Sequence, residues 1–257
     1  MSRHIPRKRF GQHFLTDPDI IAAIVRAIRP RSDEHLVEIG PGLGALTIPL
    51  LEQTDHLTVI ELDRDIVARL QRRFPADRLT IHAGDALTFD FATLTPPLRL
   101  VGNLPYNIST PLLFHLATFA SRITDIHVML QKEVVDRMTA RSGTADYGRL
   151  SVMLQYRFDM ELLFDVPPDA FEPPPKVNSA VVRMVPRSQD EQSRCDVAEL
   201  EKLVASAFSQ RRKTLRNTLG HLISPAGFAS LGIDPGRRAE TLELADFIRM
   251  TNHLGNH

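Results

Sequence analysis

His35-Leu36-Val37-Glu38-Ile39-Gly40-Pro41-Gly42-Leu43-Gly44 runs from a short apolar stretch into three alternately spaced glycines, then into helical spacing over residues 45–54. Five mainly aliphatic residues followed by a glycine turn and a helix open a strand–loop–helix unit. Glycine permits the tight turn and lets a ligand press against backbone N–H groups. The same rhythm continues downstream. Strands are predicted at 57–61, 79–82, 98–102 and 126–130, with helices over 64–73 and from Pro111 to 120. Strands alternating with helices predict a parallel sheet covered on both faces.

Upstream, Asp17-Pro18 precedes Ile20, Ile21, Ile24, Val25 and Ile28, a helix that Asp17 caps and Pro18 opens. Beyond the fifth strand the rhythm changes. Helical stretches near 132–140 and 147–157 lead to a strand at 162–166, a proline-rich loop, and a strand at 179–185. These two strands close the sheet edge and bring the total to seven. Residues 186–195 are polar and read as a linker. From 196 to the end the apolar spacing is helical. The expectation is an α/β fold, a mostly parallel seven-stranded sheet at 1–188, with a small all-helical C-terminal domain at 196–257.

A chain of 257 residues with 43% apolar content can bury a substantial core. Lys+Arg and Asp+Glu both number 31, so basic character is local: Arg3, Arg7, Lys8 and Arg9 form one cluster, and Arg211, Arg212, Lys213 and Arg216 another. Local clusters are what phosphate contacts require. The single cysteine, Cys195, excludes a disulfide framework and a cysteine-based zinc site within one chain, and no metal site is expected. No apolar run reaches the ~18 residues of a membrane span. The basic N-terminus lacks the apolar core of a secretory signal. The expected location is a reducing cytoplasm, with no membrane association.

The glycine loop has acidic partners. Glu61 closes the second strand, where a carboxylate accepts hydrogen bonds from the ribose hydroxyls of an adenosine-containing cofactor. The loop also satisfies G-x-G-x-x-A through Gly40, Gly42 and Ala45, so alone it fits a nicotinamide or flavin as well as S-adenosylmethionine. Glu38, just before the loop, suits the ammonium and sulfonium of S-adenosylmethionine better than a pyrophosphate. Asp85, in Gly84-Asp85-Ala86, is placed either to accept from an adenine amine or to cap a turn.

Asn103-Leu104-Pro105-Tyr106 follows the fourth strand, where ligands of such sheets bind. Its residue types match methylation of an exocyclic adenine amine. That nitrogen's lone pair is delocalised into the ring. Two acceptors on its hydrogens, the Asn103 side-chain oxygen and the Leu104 carbonyl, draw it toward a tetrahedral, nucleophilic geometry. Pro105 fixes the chain so that the carbonyl turns outward. Tyr106 offers a face for an unstacked base, or serves as a core aromatic.

These motifs and others, in order along the chain, resemble the small-subunit ribosomal RNA adenine dimethyltransferases. They are Arg9-Phe10-Gly11-Gln12-His13-Phe14-Leu15, Glu38 to Gly44, Glu61-Leu62-Asp63, Gly84-Asp85-Ala86, and Asn103 to Ser109. Gln131 to Val134, Tyr147 to Ser151, Phe171 to Val181, and Phe208 to Asn217 complete the match. The resemblance implies a class I methyltransferase domain and S-adenosylmethionine contacts at His13, Leu15, Gly40, Glu61, Asp85 and Asn103. It places Phe171 across the target base from Tyr106, although the residue by itself reads equally as a buried anchor for the proline-rich loop. It makes Arg7, Lys8, Arg9, Lys176, Arg211, Arg212, Lys213 and Arg216 RNA contacts, although Lys176 also reads as a plain surface residue. It implies dimethylation of two neighbouring adenosines in the 3′-terminal hairpin of small-subunit RNA, by a monomer acting on a pre-ribosomal 30S particle. His13 departs from the family, which usually has asparagine there.

Related readings differ in target. A large-subunit methylase shares the catalytic motifs, but the segment Phe208 to Asn217 favours the small-subunit enzyme. DNA adenine methylases commonly carry aspartate-proline-proline-tyrosine, whereas this chain has Asn103 and Leu104. A non-enzymatic assembly factor would not need Asn103, Glu61 and the glycine loop together.

Overall fold

The computed structural model describes residues 13–192 and 194–255, so the RNA-contact candidates Arg7, Lys8 and Arg9 lie outside the described residues. In chain order the first elements are β1 (Phe14–Leu15), α1 (Pro18–Ile28), β2 (His35–Ile39), α2 (Thr47–Leu51), β3 (Leu57–Glu61), α3 (Arg64–Arg73) and β4 (Leu79–Ala83). Then come β5 (Leu98–Asn103), α4 (Ser109–Ala117), β6 (Ile123–Gln131), α5 (Lys132–Thr139) and α6 (Arg149–Arg157). They continue with β7 (Phe158–Val166), β8 (Phe171–Glu172), β9 (Ser179–Pro186), α7 (Gln189–Gln192), α8 (Val197–Ala207), α9 (Leu215–Leu219), α10 (Pro225–Leu231) and α11 (Leu244–Gly255).

Seven strands form one sheet in the order β4-β3-β2-β5-β6-β9-β7. β4 through β6 are mutually parallel, and β9 runs antiparallel to β6. All five residues of β3 are buried, as expected of a strand with both faces covered. From β2 the chain builds outward to β3 and β4, then returns to add β5 and β6 on the other side. The carboxyl ends of β2 and β5 therefore flank the switch point, where open α/β sheets bind ligands. The two backbones approach closely there. A Cβ on Gly102 would stand 2.4 Å from the Ile39 carbonyl, so only glycine fits.

At the opposite, amino end of these strands the fold holds a buried charge cluster. The Arg99 guanidinium donates to both oxygens of Asp125 at 2.9 Å and to Glu34 at 2.5 Å. It also donates to the Ile28 carbonyl at 2.6 Å and the Arg29 carbonyl at 3.3 Å, satisfying the C-terminal end of α1. The amino end of α1 is capped by Asp17, which accepts from the N–H groups of Asp19 and Ile20 at 2.8 and 3.1 Å.

A two-stranded sheet, absent from the sequence reading, pairs β1 with β8 in antiparallel register, Phe14 opposite Glu172 and Leu15 opposite Phe171. Two-residue strands carry no periodicity, so only the pairing reveals them.

The chain divides into two compact units, residues 1–135 with 160–186, and residues 136–159 with 187–257. Linear boundaries at 188 and 196 do not show this grouping. In the second unit, α6 packs on α8 and α11, and Leu150, Leu154, Leu203 and Met250 of these helices are buried. Phe208 stacks on Phe247 at 5.8 Å, and the Tyr156 hydroxyl donates to the Cys195 carbonyl at 3.0 Å. Among the described residues no helix is long and apolar enough to cross a membrane.

Candidate active site

A cavity of about 690 Å³ opens at the switch point of the first unit. That is within the usual range for a site holding a cofactor-sized ligand. Its lining brings together His13, Leu15, Gly40, Glu61, Asp85, Asn103, Leu104, Pro105 and Tyr106. Among the described residues no group of three His, Cys, Asp or Glu side chains could hold a metal ion.

The loop after β2 forms one wall. Gly40 has φ +69°, a left-handed conformation that glycine adopts without strain, and its N–H donates to the Ile60 carbonyl at 2.9 Å. This ties the loop to β3 and to Glu61. One Glu61 oxygen accepts the Asp63 N–H at 2.8 Å, and the other lies 3.4 Å from the Gly42 N–H. The Leu62 N–H is a further donor to this carboxylate, which keeps acceptor capacity for a ribose hydroxyl. Burial raises the Glu61 pKa, against those N–H donors. Glu38 is wholly buried, and burial pushes its pKa up to about 8; the Thr47 hydroxyl, donating at 2.6 Å, opposes this, and nearby Glu61 adds to it. Asp85 takes the turn-capping role, one oxygen accepting the Leu87 N–H at 2.9 Å, and the residue also lines the cavity.

The second wall carries the tetrapeptide. The Asn103 side-chain nitrogen donates to the His13 carbonyl at 3.0 Å. A carbonyl accepts only, so this contact decides which end of the amide is nitrogen and leaves Oδ1 as the outward acceptor. The Leu104 N–H donates to the Met129 carbonyl at 3.1 Å and holds the turn to β6. The Tyr106 hydroxyl lies 2.5 Å from Ser179 Oγ, and its pKa is raised by burial. The His13 ring stacks on Tyr106 at 5.6 Å and 25°, and His13 Nδ1 lies 2.8 Å from the Pro173 carbonyl. Because that partner accepts only, Nδ1 is the protonated nitrogen.

Phe171 stands apart. It is 4% exposed, packs in the core with Leu15, Val166 and Ala170, and is not among the residues lining the cavity. Lys176 is exposed on the loop before β9. In the second unit Arg211, Arg212, Lys213 and Arg216 are exposed around the turn that leads into α9, and Arg211 donates to the Ala145 carbonyl at 2.5 Å.

Ser179 and Thr47 were not legible as site residues. Each is fully buried and bonded to a cavity side chain, and the only sequence signal was a hydroxyl at the first position of a strand or helix.

Comparison with known proteins gives a consistent result. Residues 3–256 match the family model described as Ribosomal RNA adenine dimethylase. A Thiobacillus denitrificans protein named Ribosomal RNA small subunit methyltransferase A is 64% identical over 98% of both chains. A Chromobacterium violaceum protein of the same name is 62% identical over 99% of this chain and 97% of its own. Among solved structures, a dimethyladenosine transferase from Plasmodium falciparum superposes with a TM-score of 0.83 at 25% identity, covering 95% of this chain and 98% of its own. The 23S rRNA methyltransferase ErmE shares the fold, with a TM-score of 0.72 at 24% identity over 94% of this chain and 99% of its own.

Proposed function

Because this chain belongs to the ribosomal RNA adenine dimethylase family and is an S-adenosylmethionine-dependent methyltransferase of class I fold, we propose that it dimethylates N6 of two adjacent adenosines in the 3′-terminal hairpin of small-subunit rRNA. It acts in ribosome biogenesis, in the cytoplasm, as a monomer on a pre-ribosomal 30S particle. The observation that carries this reading is the meeting of Glu61, Asp85 and Asn103 to Tyr106 on one cavity, with the Asn103 amide anchored by the His13 carbonyl.

The donor set fits S-adenosylmethionine. Glu61 keeps acceptor capacity for ribose hydroxyls, Asp85 keeps an oxygen for the adenine amine, and Gly40 presents backbone beside them. His13 and Leu15 complete the wall. The bound cofactor supplies a methyl group on a sulfonium, which needs no further activation. The protein's contribution is position. Asn103 Oδ1 and the Leu104 carbonyl accept the two hydrogens of the target amine, Pro105 holds that carbonyl outward, and the recovered lone pair would face the methyl group that the bound cofactor would present. Transfer would leave the amine nitrogen with one proton to lose, and that proton would pass to solvent. Tyr106 stacks on the base. Phe171 acts from the core, backing Leu15 through the β1–β8 pair. Lys176, and the helical unit's Arg211, Arg212, Lys213 and Arg216, contact phosphates together with Arg7, Lys8 and Arg9.

Incubation with undermethylated small subunits and labelled S-adenosylmethionine, then nucleoside analysis, tests the reading. N6,N6-dimethyladenosine is expected, and its absence refutes the proposal. Asn103→Ala should abolish transfer and leave cofactor binding mostly intact.

A further inference from the structure

Three large hydrophobic side chains are strongly exposed among the described residues: Leu62, Val177 and Leu222. Leu62 lines the cavity, and Leu222 belongs to the helical unit. Val177, 46% exposed, has neither explanation. A single exposed valine on an ordinary surface needs none. Val177 is distinguished by how its loop is held. At the loop's start, the Pro173 carbonyl is bonded to His13, and at its end Ser179 Oγ is bonded to the Tyr106 hydroxyl. Both of these partners line the cavity. Between them, the Asn178 carbonyl accepts the Lys132 N–H at 2.9 Å, and Pro173, Pro174 and Pro175 restrict the backbone. β9 starts opposite the carboxyl end of β6, with Ser179 facing Gln131, so the loop stands at the same sheet edge as Asn103 and Tyr106. Side chains at 176 to 178 are all exposed. The result is an apolar side chain presented to solvent beside the catalytic tyrosine, on a loop pinned at both ends, next to a lysine suited to a phosphate.

We propose that Val177 is a wedge that enters the RNA base stack beside the target adenosine and fills the space the adenine leaves when it turns into the cavity. Apolar side chains inserted between bases offset part of the unstacking cost, and taking a base out of its stack is the step this chemistry requires. Val177 is thus a positioning residue, acting on the neighbours of the reacting base. The inference rests on the adenine-methylating function proposed above.

The test uses the full protein, a 3′-terminal hairpin RNA carrying 2-aminopurine beside the target adenosine, and undermethylated small subunits. Wild-type binding should raise the 2-aminopurine fluorescence as that base loses a stacking partner. Val177→Ala should cut this rise and lower kcat/KM on subunits about tenfold. RNA affinity, dominated by phosphate contacts, should change by less than about twofold. The KM for S-adenosylmethionine should stay unchanged, and Val177→Ile should restore both signals. An undiminished fluorescence rise in Val177→Ala overturns the wedge. So does a parallel loss of cofactor binding and fluorescence in both variants, which would mark a purely structural role. A wild-type enzyme that forms dimethyladenosine without any fluorescence rise overturns the wedge alone; one that forms no dimethyladenosine overturns the underlying function.

Discussion

Asn103→Asp replaces one atom at the centre of the site, and the structure gives the size of the effect. In the wild type the Asn103 nitrogen donates to the His13 carbonyl at 3.0 Å. In the variant, two acceptors face each other at that distance, and the carbonyl loses its donor. Leaving a part-buried acceptor unsatisfied costs about 1–3 kcal/mol. At 1.36 kcal/mol per tenfold, misplacing the group that accepts from the adenine amine should lower kcat/KM by about 5–150-fold. The assay is methyl transfer to undermethylated subunits, with circular dichroism to confirm the fold. Protonating the new carboxyl restores a donor toward His13, so the ratio of variant to wild-type activity should rise as the pH falls from about 8 to about 6. A variant within about twofold of wild type at neutral pH, or a ratio independent of pH, would refute the anchoring argument.

Ser179→Ala removes the partner of the Tyr106 hydroxyl while leaving the fold intact, and one lost hydrogen bond of about 0.5–1.5 kcal/mol predicts roughly a 2–12-fold fall in kcat/KM with little change in Tm; an unchanged rate would show that Tyr106 is held by stacking alone. Arg99→Ala strands the buried Asp125 carboxylate and the end of α1, so denaturant unfolding should report a loss of about 3–5 kcal/mol, and a loss under about 1 kcal/mol would contradict the charge cluster's role. Burial pushes the Glu38 pKa up to about 8 from the ordinary 4.5, so the folded state binds the extra proton. Its contribution to stability is complete below 4.5 and is lost as the pH rises through about 8. Glu38→Gln should therefore flatten the decline of unfolding free energy over that window, and identical slopes for the two proteins would falsify the assignment.

The cavity's main residues were legible because a parallel sheet makes them so. Once residues 35–39, 57–61 and 98–102 are read as adjacent strands, the residues just beyond their carboxyl ends must gather at the switch point. Gly40, Glu61 and Asn103 are found there. Local chemistry also sufficed for α1, whose cap, proline and apolar spacing lie within a dozen residues. The placement of Phe171 illustrates the limit. Its residue type and proline-rich neighbourhood allowed a buried anchor as readily as a base-stacking face, and its partner in the β1–β8 pair, Leu15, lies far away along the chain.

What the sequence determined by itself was the alternation of strands and helices, the glycine loop with its carboxylate partner, and the Asn103 to Tyr106 turn at the end of a strand, since each is set mainly by residues close along the chain. What only the tertiary structure decided was the set of partners that orient those groups. The His13 carbonyl holds Asn103, Ser179 holds Tyr106, Thr47 holds Glu38, and residues 136–159 join the helical unit. Most of these partners lie many tens of residues apart, so no local pattern encodes them. They meet because strand pairing and core burial bring distant backbone into register, and buried polar groups left there must find a partner among whatever residues the fold has brought near.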